Sequence, residues 1–501
     1  MLSFEEFEKL ARSHNVIPLT RPLLADTHTP VSIYLTLRQE GSPSFLLESA
    51  ETSEKLGRYS FVGLSPSMMV RARGQEVSIA SHGSRTGTDR NVLEVLRDLS
   101  SQFNQAPSGV GTGLSGGFVG YMGYNSVRHL EKIPIPAPAE EDEDDAVFGL
   151  FPTIIRFDHL AHIITIIRNV MVDPAWPLRP QYEQGRKDIE ALELRLRQPT
   201  VSSANFRCEI NGAADTQDKE HYCSAVARAK EHIYEGDIFQ VVLSRKIERK
   251  YTGDLFPVYR ALRLINPSPY LYYIDFGDTK LVGSSPEILV RSRKGIVEVL
   301  PIAGTRKRGA DEEEDVTLEK ELLQDEKELA EHVMLVDLGR NDLGRICKYG
   351  TVEVPVLKRV QRYSHVMHIV SEVRGRLKED TSPVDVLAAC FPAGTVSGAP
   401  KVRAMEIIHE LEQAPRGAYA GAVGYIGFDG SVDTCITIRT LVAQGDRLKI
   451  QAGAGIVADS VPETEYQETV NKSRALLEAV SFASGEIPVD QLLARLGGVK
   501  E

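Results

Sequence analysis

Pairs of carboxylates at helical spacing are the side chains of this sequence best suited to chemistry. In Asp325–His332 (DEKELAEH), Glu328 and Glu331 stand three residues apart, so a helix turns both the same way. In Glu465–Lys472 (EYQETVNK), Glu465, Glu468 and Lys472 form a second stripe at i, i+3 and i+7. Such a stripe is ordinarily a solvated face, with Glu–Lys contacts worth ~0.3–0.5 kcal/mol. Two pairs that converge, however, could hold one hard cation. Mg²⁺ takes one or two carboxylates, keeps several waters and bridges to an anionic substrate. Arg439 lies within Thr434–Thr440, read as an apolar, Thr-rich strand. A buried guanidinium there needs a partner, and a substrate carboxylate fits its fork. His332, His365 and His368 are residue types found more often in helices and cores than as ligands.

Several other chemistries are excluded by spacing. Gly394–Lys401 (GTVSGAPK) lacks the glycine directly before lysine, and the Ser or Thr after it, that a phosphate loop requires. Gly453-Ala454-Gly455 has no third glycine, so neither motif supports an ATP or NAD site. There is no HExxH, and the one GxSxG spacing, Gly113–Gly117 (GLSGG), leads into a glycine-rich strand and not a helix, so it makes no nucleophile elbow.

The elements that must carry these residues fall into two textures. Ser3 and Glu6 make a capping box that opens a short helix. From about 30 to 170 the chain is rich in short β-like runs, such as Val31–Leu37 and Ile154–Arg156. Gly116–Tyr124 (GGFVGYMGY) is a glycine-rich strand in which close backbone packing is expected. Six acids, Glu140–Asp145, follow Pro134, Pro136 and Pro138 and read as a solvated loop. Arg186–Leu196 reads as a helix and Gln198–Asn205 as a linker. Beyond it, Tyr222, Ala225, Val226, Ala229 and Ile233 share a helical face that stops near Gly236. In the strand Ile238–Ser244, Gln240 shares a face with Ile238 and Val242. Asp429-Gly430 marks a hairpin, and Thr434–Thr440 with Leu448–Val457 suggests an antiparallel meander. Ser460 and Glu463 read as a second capping box, with Pro462 in the first turn and Tyr466, Val470, Ser473, Leu477 and Val480 as the core stripe. The expected fold is α+β: antiparallel sheets with helices packed outside. The expected division is a β-rich N-terminal domain over 1–200, a larger domain over 215–480 and a tail over 481–501.

At 501 residues, 26% charged and 42% hydrophobic, the chain is globular and long enough for about two to four domains. Its net charge of −12 repels phosphate backbones, so no nucleic-acid partner is expected. No apolar run approaches the ~18–20 residues needed to cross a bilayer, and Met1–Leu10 lacks a basic-then-apolar leader. Five scattered cysteines without a CxxC read as reduced thiols in a cytoplasmic protein.

Pro301–Thr305 (PIAGT), Asp325–His332, Phe391–Lys401 (FPAGTVSGAPK), Ile438–Thr440, Gln451–Ile456 (QAGAGI) and Glu465–Lys472 occur in this order. Together they resemble the chorismate-utilising enzymes, over nearly the whole chain. Leu46–Glu51 (LLESAE) and Asn266–Leu271 (NPSPYL) are similar to the tryptophan-inhibited members. The resemblance implies a Mg²⁺ ion held by Glu331 and Glu468, with Glu328 and Glu465 in support. The ion would neutralise the ring carboxylate of chorismate. Gly304, Thr305, Tyr419, Arg439, Gly453, Ala454, Gly455 and Lys472 would bind substrate; backbone N–H groups of the glycines can approach an anion where no Cβ intervenes. Thr395 and Lys401 would lie in a neighbouring loop. Glu287 would be the general acid on the departing ring hydroxyl, which needs a carboxyl kept protonated near neutral pH. His368 would assist loss of pyruvate.

Two positions separate the family's reactions. Members that add water carry a lysine where this chain has Gln240, and glutamine can only orient a nucleophile. Aminodeoxychorismate synthases carry a nucleophilic lysine where this chain has Ala303, which forms no covalent intermediate. Both imply a lyase that adds ammonia to the ring and forms anthranilate and pyruvate, the first step committed to tryptophan. The alternatives are an aminodeoxychorismate synthase or a non-catalytic tryptophan-sensing homologue. No cysteine has a glutaminase setting. The resemblance therefore implies a separate glutamine amidotransferase subunit, in a heterotetramer. Ser49, Pro269, Tyr270 and Leu271 match inhibitor-binding positions for tryptophan, with Lys55 or Arg58 as the basic residue.

Overall fold

The computed structural model describes every residue except 51–56, 82, 137, 139–142, 199–204, 210–218, 363–365, 413 and 496–501, and the side chains of 493–495. His365, Lys55 and most of the expected linker lie outside the described residues.

Two 12-stranded antiparallel sheets face each other. In the first, Val16–Leu24, Ile163–Met171, Thr153–Asp158, Tyr59–Leu64 and Ser44–Glu48 continue into Tyr270–Asp275, Thr279–Ser285, Thr440–Gln444, Arg447–Ile456 and Gln240–Gly253. The join is the register Leu47↔Tyr272. The second runs from Ile302–Lys307 through Val366–Arg376, Ile288–Arg293, Val432–Ile436 and Ala422–Gly427 to Gly117–Met122, Ala146–Phe151 and Met68–Arg73. There the join is Val119↔Tyr425. Both sheets thus take strands from each side of the boundary expected near residue 200. Phe45, Tyr272 and Val442 of one sheet pack on Val119, Phe151 and Tyr425 of the other. Helices cover the outer faces, so the architecture is the expected α+β. No helix among the described residues is long and apolar enough to cross a membrane.

Gly117 and Gly120 show why the glycine-rich strand is what it is: a Cβ there would lie 2.2 Å from Ile426 O and 2.0 Å from Val147 O. Elsewhere local chemistry overrides the pattern. Val31–Leu37 is not a strand but belongs to the helix Pro30–Leu37. Thr29 caps it, and Ser32 returns a bond to the Thr29 N–H, so caps outweigh β-branched propensity. The helix expected from Arg186 starts at Leu178. Ser460 is not a helix cap: its Oγ accepts from Val457 N–H at 3.1 Å, and Pro462–Ala483 begins after Val461 with no side-chain cap. On that helix the buried stripe is Thr469, Ser473, Leu476 and Val480, while Tyr466, Val470 and Leu477 are half-buried.

The expected meander is two hairpins in two sheets. Ala422–Gly427 pairs with Val432–Ile436 around Asp429-Gly430, and Thr440–Gln444 pairs with Arg447–Ile456 in the other sheet. Arg439 is therefore not in mid-strand. It sits where the chain changes sheets, with a left-handed φ of 51°. Of the acidic run, residues 140–142 lie outside the described residues, and the rest is not solvated: Glu143 and Asp145 are buried, and Asp144 pairs with Arg71 at 2.8 Å. Asp145 accepts from Gly74 N–H at 2.7 Å.

Candidate active site

Two helices form opposing walls. Glu326–Ile346 is capped by Asp325, whose carboxylate accepts from the N–H groups of Lys327 and Glu328, and this sets the first two turns, which carry Glu328 and Glu331. Pro462–Ala483 carries Glu465, Glu468 and Lys472. Between them lies the floor, where Gln240–Gly253 pairs with Arg447–Ile456. Gly453 and Gly455 are required by space. A Cβ at 453 would lie 2.6 Å from Tyr419 Oη, and one at 455 would lie 2.8 Å from Gln240 Nε2. Gln240 is buried and donates to Glu331 Oε1 at 3.2 Å.

The remaining groups close around that floor. Lys472 Nζ pairs with Glu468 Oε1 at 2.6 Å and donates to Gly453 O at 2.9 Å. Arg439 donates to Lys472 O and has no ion pair among the described residues. Burial lowers its pKa, and the nearby Tyr419 and Glu468 oppose that. Thr305 stands opposite His368 in the sheet, and His368 Nδ1 lies 3.0 Å from Gly304 O and 3.1 Å from Thr305 Oγ1. A carbonyl can only accept, so Nδ1 carries the proton and Nε2 the lone pair. Burial lowers the His368 pKa, favouring this neutral ring. Glu287 follows the strand Thr279–Ser285, its backbone fixed by Ile436 N–H donating to Glu287 O. Its side chain is half-buried, and desolvation raises its pKa to about 7 against the opposing pull of the nearby Thr395 hydroxyl and the Lys472 charge. An acid that still holds its proton near neutrality is what a departing hydroxyl needs.

The four wall carboxylates fit a hard cation by donor chemistry: all are oxygen ligands, and none is buried away from the cleft. Burial and then mutual repulsion raise Glu328, which faces Glu331, and Glu465, which faces Glu468. A bound cation would relieve that repulsion. Glu328 meanwhile contacts Arg306 at 3.4 Å. The wall oxygens do not close into one cluster. Among the described residues, the three-ligand group near enough together is His232, Glu235 and Asp237, outside this cleft, where Asp237 is already paired with Arg403 at 2.6 Å.

Two sequence candidates fall elsewhere. Lys401 pairs with Asp342 at 2.9 Å beneath the helix Glu326–Ile346, and His332 is core, its Nε2 2.6 Å from Ser371 Oγ. Ser49, Pro269, Tyr270 and Leu271 line a separate cavity of about 170 Å³ with Arg58, Tyr59 and Tyr425. At its floor Asp433 accepts from Tyr270 Oη at 2.8 Å, Arg291 Nε at 3.0 Å and Arg293 at 2.9 Å. Arg58 lies over the Tyr59 ring and pairs with Asp158. Arg291, Arg293 and Asp433 were not legible as site residues, because the cavity forms only where strands distant in sequence meet.

The two facing sheets and a polar cleft walled by carboxylate-bearing helices have the make-up of an enzyme. The chain belongs to the chorismate-binding enzyme family, whose profile matches residues 42–478. It is 46% identical over 493 residues to "Anthranilate synthase component 1" of Acetivibrio thermocellus, covering 97% of this chain and 99% of that protein. The Aquifex aeolicus protein of the same name is 45% identical, covering 96% and 98%. The crystal structure of anthranilate synthase component I from Streptococcus pneumoniae superposes with a TM-score of 0.73 at 34% identity, covering 91% of this chain and 98% of that one. The menaquinone-specific isochorismate synthase of Escherichia coli, at 20% identity and a TM-score of 0.71, shares the fold.

Proposed function

We propose that this chain converts chorismate and ammonia to anthranilate and pyruvate, as the chorismate-binding subunit of a tryptophan-pathway lyase. The observation that carries the choice of reaction is Gln240. Its amide sits against Glu331 and Gly455, where it can orient a nucleophile but cannot deprotonate water. Ala303, in the strand Ile302–Lys307, offers no amine for covalent catalysis. Ammonia needs neither service.

In this reading Arg439, Lys472, Tyr419, Thr305 and the N–H groups of Gly304, Gly453, Ala454 and Gly455 bind and orient chorismate. Glu331 and Glu468 would hold Mg²⁺, with Glu328 and Glu465 behind them; when bound, the ion supplies charge neutralisation to the substrate's ring carboxylate. Glu287 donates its proton to the departing hydroxyl, with Thr395 beside it. Gln240 orients ammonia for attack on the ring. His368, neutral with its lone pair on Nε2, takes the ring proton as pyruvate leaves and the ring becomes aromatic.

The ammonia has no source in this chain. Burial raises the thiol pKa of Cys208 to about 11 and raises those of Cys223, Cys347, Cys390 and Cys435, the opposite of an activated glutaminase nucleophile. A second, amidotransferase component supplies it, consistent with relatives named component 1. The aromatic and basic cavity beside Ser49 and Pro269–Leu271 suits tryptophan as a feedback inhibitor. A chorismate saturation curve unmoved by excess tryptophan would count against that assignment.

The test of the reaction uses the purified chain with chorismate, Mg²⁺ and concentrated ammonium at mildly alkaline pH. Anthranilate fluorescence and pyruvate should appear together and vanish with a chelator. Aminodeoxychorismate or isochorismate as product would overturn the reading of Gln240 and Ala303.

A further inference from the structure

We infer that Glu143, from the acidic run, is a positioning residue that sets Tyr419 against Gly453 in the substrate cleft. This rests on the placing of Tyr419 in the chorismate site. Tyr419 lies in a turn with left-handed backbone at Gly417 (φ 59°), which glycine adopts freely, and at Ala420 (φ 61°), where the Cβ makes it costly unless the surroundings hold it. Part of what holds it comes from 275 residues away. Glu143 Oε2 accepts from Ala418 N–H at 2.9 Å, next to Tyr419. Its other oxygen, Oε1, pairs with Lys449 Nζ at 3.3 Å, and the two side chains are only 4% and 10% exposed. Lys449 is on the strand Arg447–Ile456, four residues before Gly453. One carboxylate therefore grips, one oxygen each, the turn that carries Tyr419 and the strand that carries Gly453. Gly417 leaves room for it, since a Cβ there would lie 2.4 Å from Glu143 Oε2. Tyr124 N–H completes the hold by donating to Gly417 O at 2.8 Å.

Tyr419 and Gly453 bind substrate without taking part in bond making, so a slackened grip weakens ground state and transition state alike. That signature is a raised KM with kcat kept. Glu143→Ala should raise the chorismate KM about tenfold and change kcat by no more than about twofold. Because that variant leaves Lys449 buried and unpaired, Glu143→Ala/Lys449→Met keeps the fold testable, and the same KM rise is expected. Glu143→Gln retains a carbonyl acceptor for Ala418 N–H but turns its amide N–H₂ toward the Lys449 ammonium, so it should recover only part of the KM rise. The decisive measurement is a double-mutant cycle with Tyr419→Phe. If Glu143 acts through Tyr419, removing both should cost no more than the larger single effect. A KM rise that simply adds to that of Tyr419→Phe, or an unchanged KM in the folded Ala/Met variant, overturns the inference. If Tyr419→Phe alone leaves KM unchanged, it is the placing of Tyr419 in the substrate site that fails.

Discussion

At the scale of single residues, Glu287 is the group whose environment speaks most directly to mechanism. Desolvation disfavours its charged form, so the carboxyl, raised to about 7, stays protonated through mildly acidic pH and ionises around neutrality. An acid catalyst works only while protonated. At a fixed concentration of free ammonia, kcat/KM for chorismate should therefore fall as pH rises through about 7. Glu287→Gln should abolish that limb and lower the rate by ~10²–10⁴. A parent profile that stays flat across this range would remove Glu287 from the acid's role. Glu331 makes the complementary case. Glu331→Gln keeps the shape and the neighbour Gln240 but loses a charge from the cation wall. It should fold normally and lose Mg²⁺-dependent turnover, and unchanged turnover would sink the wall assignment.

Elements place these residues, and they do so through contacts that periodicity does not reveal. The turn after the helix Lys401–Leu411 carries Glu412 and Arg416, an ion pair at 2.6 Å with side chains 5% and 2% exposed. Arg416 also donates to Val242 O and Val396 O, and its guanidinium lies over the rings of Tyr124 and Tyr419. Glu412 accepts from the N–H and hydroxyl of Ser244 on the floor strand. Arg416→Met should cost about 3–5 kcal/mol in urea unfolding, because it strands a buried carboxylate. Glu412→Leu/Arg416→Met should cost less than the single change, and a loss below about 1 kcal/mol for Arg416→Met would show the pair is not buried as described. The carboxylate walls themselves were legible, since i,i+3 spacing on a helix needs no tertiary information. The Ser460 cap was misread because its hydroxyl had a nearer donor, Val457 N–H, in the preceding turn.

The whole molecule is a pair of sheets that neither half of the chain can complete. Ser44–Glu48 pairs with Tyr270–Asp275, and Gly117–Met122 pairs with Ala422–Gly427, so a cut near residue 205 leaves open edges and half a core on both pieces. Fragments 1–209 and 215–501, purified apart, should each lack a cooperative unfolding transition by circular dichroism, and the intact chain should show one. A fragment that folds alone with a sharp transition would show that one half needs no strands from the other. Interleaving also explains how an acid from residue 143 comes to lie beside Ala418 and Lys449.

The sequence by itself determined the chemistry: which side chains are present, which share a helical face, and which ordered motifs resemble the chorismate-utilising enzymes. These are local properties, readable because spacing along a helix or strand dictates direction. Only the tertiary structure decided where Arg439 sits, since its place depends on a chain crossing between two sheets. It alone gave Glu287 the burial that raises its pKa, and it turned Glu143 from an expected solvated charge into a buried clamp. Burial and partnership across 275 residues are set by long-range packing, and no local pattern of residue types encodes them.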